Sequence, residues 1–123
     1  KIGTLASKIL DKKFYENKSV VKVKTKEELN HKNFPEVVYF KRKTLKKDLN
    51  IYHHMGIYCY EIETLKNFVS YKQTPNEFKY KLEQLRALEN KIKINVALAK
   101  SHSIGIDTKE DFVAIKKIME YKT

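Results

Sequence analysis

Tyr52-His53-His54-Met55-Gly56-Ile57-Tyr58-Cys59-Tyr60 changes side-chain character with a period of two, the pattern of a β-strand. Met55, Ile57 and Cys59 fall on one face; His54, Gly56, Tyr58 and Tyr60 fall on the other. A glycine inside a strand often marks a close approach by another group. Two readings of the second face therefore stand side by side. In one, Tyr58 and Tyr60 pack under a helix and His54 lies at the surface. In the other, these groups surround a gap at Gly56 in which a ligand lies against the backbone.

Toward the N-terminus the chain keeps its β character. Val37-Val38-Tyr39-Phe40, after Pro35, reads as a strand, as do the β-branched Ser19-Val20-Val21-Lys22-Val23-Lys24 and the stretch 4–9. A polar turn surrounds Asp11-Lys12-Lys13, residues 24–33 read as a long loop or a short helix, and residues 41–50 read as a surface loop. Toward the C-terminus the spacing changes to that of helices. Leu65, Phe68 and Val69 form a stripe at i, i+3, i+4, and Thr74-Pro75-Asn76-Glu77 is a capping box with Pro at the first helical position. The helix that follows is expected to bury Phe78, Leu82, Leu85 and Leu88. Residues 92–98 alternate, with Ile92, Ile94, Val96 and Leu98 facing inward, and Thr108-Lys109-Glu110-Asp111 opens a last helix striped by Phe112, Ile115 and Met119. Four strands, two helices, a strand and a helix predict an α/β fold, a mixed sheet with helices. The length of 123 residues fits one domain.

Several function classes fall away at once. Three glycines cannot build a Gly-rich phosphate loop, and no Ser or Cys carries the flanking pattern of a known nucleophile motif. The adjacent His53 and His54 point to opposite faces of a strand and cannot chelate one metal. No apolar run approaches the ~20 residues of a membrane span, so no membrane insertion is expected. A single cysteine, Cys59, makes no intramolecular disulfide or cysteine zinc cluster and suits a reducing, cytoplasmic setting. The first residue is Lys1 rather than methionine, so a piece of something longer is expected.

The formal charge of +11 invites a nucleic-acid reading, because basic side chains release counterions from phosphates. Against it, 24 of the 26 basic residues are lysines scattered from Lys1 to Lys122, and the two arginines are Arg42 and Arg86. Base-reading and phosphate-gripping proteins favour the planar arginine fork. The expectation is a solvated lysine background and no nucleic-acid partner. A small basic module that binds RNA or another polyanion without catalysis is the alternative.

Two further stretches could carry chemistry. In Leu82-Glu83-Gln84-Leu85-Arg86 the leucines face the core, and Glu83 and Arg86 stand at i, i+3. Taken alone, that is an ordinary helix ion pair of about 0.2–0.5 kcal/mol. In Gly105-Ile106-Asp107-Thr108, either Thr108 caps the last helix and frees the Asp107 carboxylate for a metal or ligand, or Asp107 is itself the cap.

Taken together, His54-Met55-Gly56-Ile57-Tyr58-Cys59-Tyr60, Leu82-Glu83-Gln84-Leu85-Arg86 and Gly105-Ile106-Asp107-Thr108-Lys109-Glu110-Asp111 resemble, in order and spacing, the 3-deoxy-manno-octulosonate cytidylyltransferases, the CMP-Kdo synthetases. Val20-Val21-Lys22-Val23, Tyr39-Phe40-Lys41-Arg42 and Thr4-Leu5-Ala6 are also similar to strand motifs of that family. The resemblance covers nearly the whole chain but only the C-terminal half of the family. It implies the C-terminal part of a Rossmann-like nucleotide-diphospho-sugar transferase fold, with a sugar-binding and dimerisation role. It also implies transfer of CMP from CTP to Kdo for lipopolysaccharide synthesis, Mg²⁺ dependence and a cytoplasmic homodimer. By the same resemblance Asp107 is a metal ligand, and Arg42, His54, Tyr58, Glu83 and Gln84 line the sugar pocket, while Arg86 can be structural. The family's N-terminal half, with its basic nucleotide loop and its other metal-binding aspartate, has no counterpart in these residues, so inactivity of the chain alone is expected. Lys109 replaces a usual Pro, Tyr80 a common Glu, and residues 24–36 form a longer stretch than usual.

Overall fold

A computed structural model describes residues 1–44, 49–100, 106 and 108–121, the last by its backbone only. Five strands form one sheet: β1 (Ile2–Ser7), β2 (Lys22–Thr25), β3 (Val37–Lys41), β4 (Ile51–Tyr60) and β5 (Ile94–Leu98). Their order across the sheet is β3-β2-β4-β1-β5. Every pairing is antiparallel except β1 with β5, which is parallel. The helices are α1 (Ile62–Ser70), α2 (Pro75–Tyr80), α3 (Gln84–Glu89) and α4 (Lys109–Tyr121). The expected α/β class, a mixed sheet with helices, is the observed one. None of the helices among the described residues is long and apolar enough to cross a membrane.

One face of the sheet carries the core. Ile2 and Ala6 of β1, Val23, Phe40, Tyr52, Ile94 and Val96 meet Phe68 of α1, Leu82, and Ala87 of α3. Period-two alternation accounts for it: Thr4 sits between Ile2 and Ala6 on the buried face, opposite Tyr58 on one side and Val96 on the other. Residues 26–33 form a loop. It is drawn inward by the buried Leu29, whose N–H donates to the Tyr52 hydroxyl at 2.8 Å.

The structure corrects the sequence expectation at several places. The strand expected over 4–9 runs from Ile2 to Ser7, and the one expected over 19–24 begins at Lys22. The polar turn after β1 contains a single 3₁₀ turn, Lys12–Tyr15, capped by the Asp11 side chain. The single helix expected after Thr74 is two helices. The capping box forms as expected, with the Glu77 N–H donating to Thr74 Oγ1 at 3.1 Å, but Lys81 is left-handed (φ 54°, ψ 46°) and ends the first helix. The chain therefore turns before Leu82, which enters the core, while Phe78 is 76% exposed instead of buried. The stripe of α1 is likewise divided: Phe68 is buried, but Leu65 and Val69 are 40% and 66% exposed. Phe112 and Met119 of α4 also face solvent.

The left-handed corner makes a stability prediction. Lys81→Gly is tolerated, whereas Lys81→Val, β-branched at a positive φ, costs roughly 1–2 kcal/mol relative to it. The difference is read as a lower midpoint in urea denaturation.

Candidate functional site

The corner between α2 and α3 faces β4 across a cleft of about 1090 Å³, near the upper end for small-molecule sites. Arg42, His54, Tyr58, Glu83 and Gln84 all line it, so the five expected binding residues, from three separate stretches of sequence, meet in one place. Gly56 lines it as well, and a side-chain carbon there would meet nothing within 4 Å. The gap read from the sequence at Gly56 is therefore real. Its flanks follow neither simple reading: Tyr60 does pack near Phe68 (ring centroids 6.0 Å), yet His54 is buried.

His54 is held from three sides. Its Nε2 lies 2.8 Å from Thr4 Oγ1, the Phe40 ring meets it edge-on at 4.9 Å, and the Tyr58 ring is 5.5 Å away. Burial, with the nearby His53 charge adding, pushes its pKa down to about 4, so the ring is neutral at physiological pH. Burial also raises the Tyr58 phenol well above its ordinary value, with Tyr60 and the Glu83 carboxylate adding to the shift. Tyr58 therefore remains a hydroxyl, able to donate and accept. Gln84 is buried, yet its amide makes no hydrogen bond to another described residue. Its amide is therefore open to a ligand or water in the cleft.

Arg42 is partly committed to the fold. Its Nε donates to Tyr80 O and its Nη2 to Lys81 O, each at 2.9 Å, and its Nη1 donates to Lys18 O at 3.2 Å. Two of the five guanidinium N–H groups remain. Beneath it, the buried Lys22 ammonium donates to Asn17 O (2.6 Å) and to Arg42 O (2.5 Å). Burial, helped by the Arg42 charge, pulls the Lys22 pKa down to about 8.

Arg86 does not make the expected pair with Glu83. It forks onto Glu77, Nε to Oε1 at 2.8 Å and Nη2 to Oε2 at 2.5 Å, and stacks 4.8 Å over the Phe68 ring. This bidentate pair joins α2 to α3 and holds the Glu77 carboxyl below its usual range. Arg86 is thus engaged with Glu77, and Glu83, which lines the cleft, makes no salt bridge to another described residue. Phe14, Gln73 and Phe78 also line the cleft and were not anticipated. Phe78 had the spacing of a core residue, and nothing in the sequence around Phe14 marks it.

Thr108 caps α4: its Oγ1 accepts from the Asp111 N–H and its N–H donates to Asp111 Oδ2, both at 3.1 Å. Of the two capping assignments this selects Thr108. Asp107 itself lies outside the described residues. Among the described residues no group of three or more His, Cys, Asp or Glu side chains could hold a metal ion.

The His54 environment makes a pH prediction. The unfolded chain takes up a proton near pH 6.5 and the folded chain only near pH 4, so stability is complete above about pH 6.5 and falls as pH drops toward about 4. The loss from this group alone is roughly 3 kcal/mol. In urea midpoints measured across that range, His54→Gln flattens the slope between about pH 6.5 and 5, where the carboxylates are still ionised.

No protein-family model matches the chain. The 3-deoxy-manno-octulosonate cytidylyltransferase of Bartonella henselae is 39% identical to it over 119 residues, covering 96% of this chain and 48% of that protein. The enzyme of the same name from Thermodesulfovibrio yellowstonii is 40% identical over 124 residues, with the same coverage of 96% and 48%. The solved structure of CMP:2-keto-3-deoxy-manno-octonic acid synthetase complexed with CTP matches with a TM-score of 0.79 at 25% identity. That match covers 99% of this chain and 50% of the other. The chain thus spans about half the length of the curated relatives it matches. Sequence identity and fold similarity together place this chain in the 3-deoxy-manno-octulosonate cytidylyltransferase family, as its C-terminal half.

Proposed function

We propose that this chain is the sugar-binding side of a cytidylyltransferase that moves CMP from CTP to the anomeric hydroxyl of Kdo, for lipopolysaccharide synthesis. The observation that carries the reading is the convergence of Arg42, His54, Tyr58, Glu83 and Gln84 on one cleft. Kdo is a polyhydroxy acid. Its carboxylate suits the two remaining N–H groups of Arg42, as a charge-assisted pair. Its hydroxyls suit Glu83 as an acceptor, the Gln84 amide and Tyr58 hydroxyl as donor or acceptor, and neutral His54. Held so, the anomeric oxygen would attack the α-phosphorus of CTP, forming the new O–P bond as the bond to pyrophosphate breaks. The contribution of these residues is to bind and orient the acceptor.

The nucleotide side of the reaction belongs, in this reading, to residues outside these 123. Mg²⁺ belongs to it too, with Asp107 as one carboxylate ligand; the described residues offer no complete ligand set. When bound, the ion would offset phosphate charge. The apolar side chains left exposed on α1 and α4 support association into a homodimer. A cytoplasmic setting, where CTP is available, completes the reading.

Calorimetric titration of the chain with Kdo is expected to show saturable binding. Glu83→Ala and Gln84→Ala each weaken it about tenfold, the equivalent of one hydrogen bond. Absence of binding at millimolar Kdo would refute the sugar reading. In a pyrophosphate-release assay with CTP, Kdo and Mg²⁺ the chain alone gives no turnover; robust turnover would show that it holds the nucleotide site as well.

A further inference from the structure

The β1–β4 ladder breaks beside the cleft. Thr4 pairs with Tyr58 and Leu5 with Met55, so Gly56 and Ile57 have no counterpart in β1. The Thr4 hydroxyl sits at this bulge, 2.9 Å from Ile57 O, 3.3 Å from Met55 O and 2.8 Å from His54 Nε2. A hydroxyl has one proton and a carbonyl can only accept. The proton therefore goes to the bulge carbonyls, with Ile57 O the nearer. If it went to the imidazole instead, the oxygen lone pairs would face two carbonyl oxygens. What remains for the third contact is a donor, so Nε2 carries the ring proton.

From this geometry we propose that Thr4 is a positioning residue that holds His54 as the Nε2–H tautomer and so presents Nδ1 as a hydrogen-bond acceptor to a hydroxyl of the bound sugar acid. The sugar half of this statement rests on the function proposed above. Three observations support it. Nδ1 has no hydrogen-bond partner among the described residues, although His54 lines the cleft. The edge contact with Phe40 and the Tyr58 ring fix the imidazole plane. The ring is kept neutral by burial, so the tautomer and not the charge decides what Nδ1 offers. An Nδ1–H tautomer would offer a donor to the same hydroxyl and select a different orientation of it. Thr4 touches no ligand in this scheme; it acts through the imidazole.

Long-range ¹H–¹⁵N correlation spectra of the ¹⁵N-labelled chain read the tautomer directly. The unsubstituted chain is expected to show His54 as a single Nε2–H form, with the Nδ1 resonance moving when Kdo is added. Thr4→Val, which removes the hydroxyl and keeps the shape, gives a mixture of tautomers and about tenfold weaker Kdo binding. Thr4→Ser retains both properties, a rescue that a purely structural role of the methyl group would not produce. An Nδ1–H tautomer in the unsubstituted chain overturns the proposal whether or not Thr4→Val folds. So does a Thr4→Val chain that keeps the single tautomer and the affinity. Kdo binding that leaves the Nδ1 resonance unmoved overturns the acceptor role while the sugar-binding reading stands. Failure of Kdo to bind overturns that reading and the acceptor role with it, and the free-chain spectrum still decides the role of Thr4.

Discussion

The guanidinium of Arg42, spread over three backbone carbonyls, is the contact on which the cleft depends. It ties the end of α2 and the left-handed Lys81 to Lys18, and its own carbonyl is gripped by the buried Lys22. Charge-assisted bonds to backbone are among the stronger ones, and here they act where the chain reverses. Immediately after that reversal come Glu83 and Gln84, both of which line the cleft. The Glu77–Arg86 fork closes the same corner from the inside, resting on Phe68. Two arginines in a chain of lysines thus both serve the geometry of a single turn, where the planar guanidinium holds its donors in a fixed, wide fork that a lysine ammonium does not reproduce.

The opposite wall is a strand with two demands on it. β4 must pair with β1 and β2 and must also open a space at Gly56. Two extra residues meet both demands. Because two were inserted and not one, the alternation of faces survives the bulge, and His54, Tyr58 and Tyr60 remain on the core side. The cost is a pair of carbonyls next to the break, and the Thr4 hydroxyl takes them.

Much of this was legible in the chain itself. Period-two alternation located β4 and β5, the capping boxes located the starts of α2 and α4, and the family resemblance of the motifs pointed to the five residues that share the cleft. What escaped was non-local or carried by backbone. No residue type announces that Lys81 will take a positive φ, a conformation usually given to Gly or Asn. Without that break, Phe78 has the spacing of a buried residue. The pairing of Arg86 escaped because a partner at i−3, Glu83, was available, and the true partner, Glu77, becomes a neighbour only after the chain turns. Charge was the least informative feature, since lysine content reports solvation more than recognition.

Lys22 gives the protein a built-in gauge of its own opening. It is the one buried lysine among the described residues, with no side-chain exposure, in a chain of 24 lysines. Its burial denies any reagent access to the amine. An amine-acylating reagent would therefore modify the surface lysines in one kinetic phase. It would reach Lys22 only when the strap of carbonyls from Asn17 to Arg42 lets go. The lag of that one amine behind the others measures how often the floor under the Arg42 clasp comes apart.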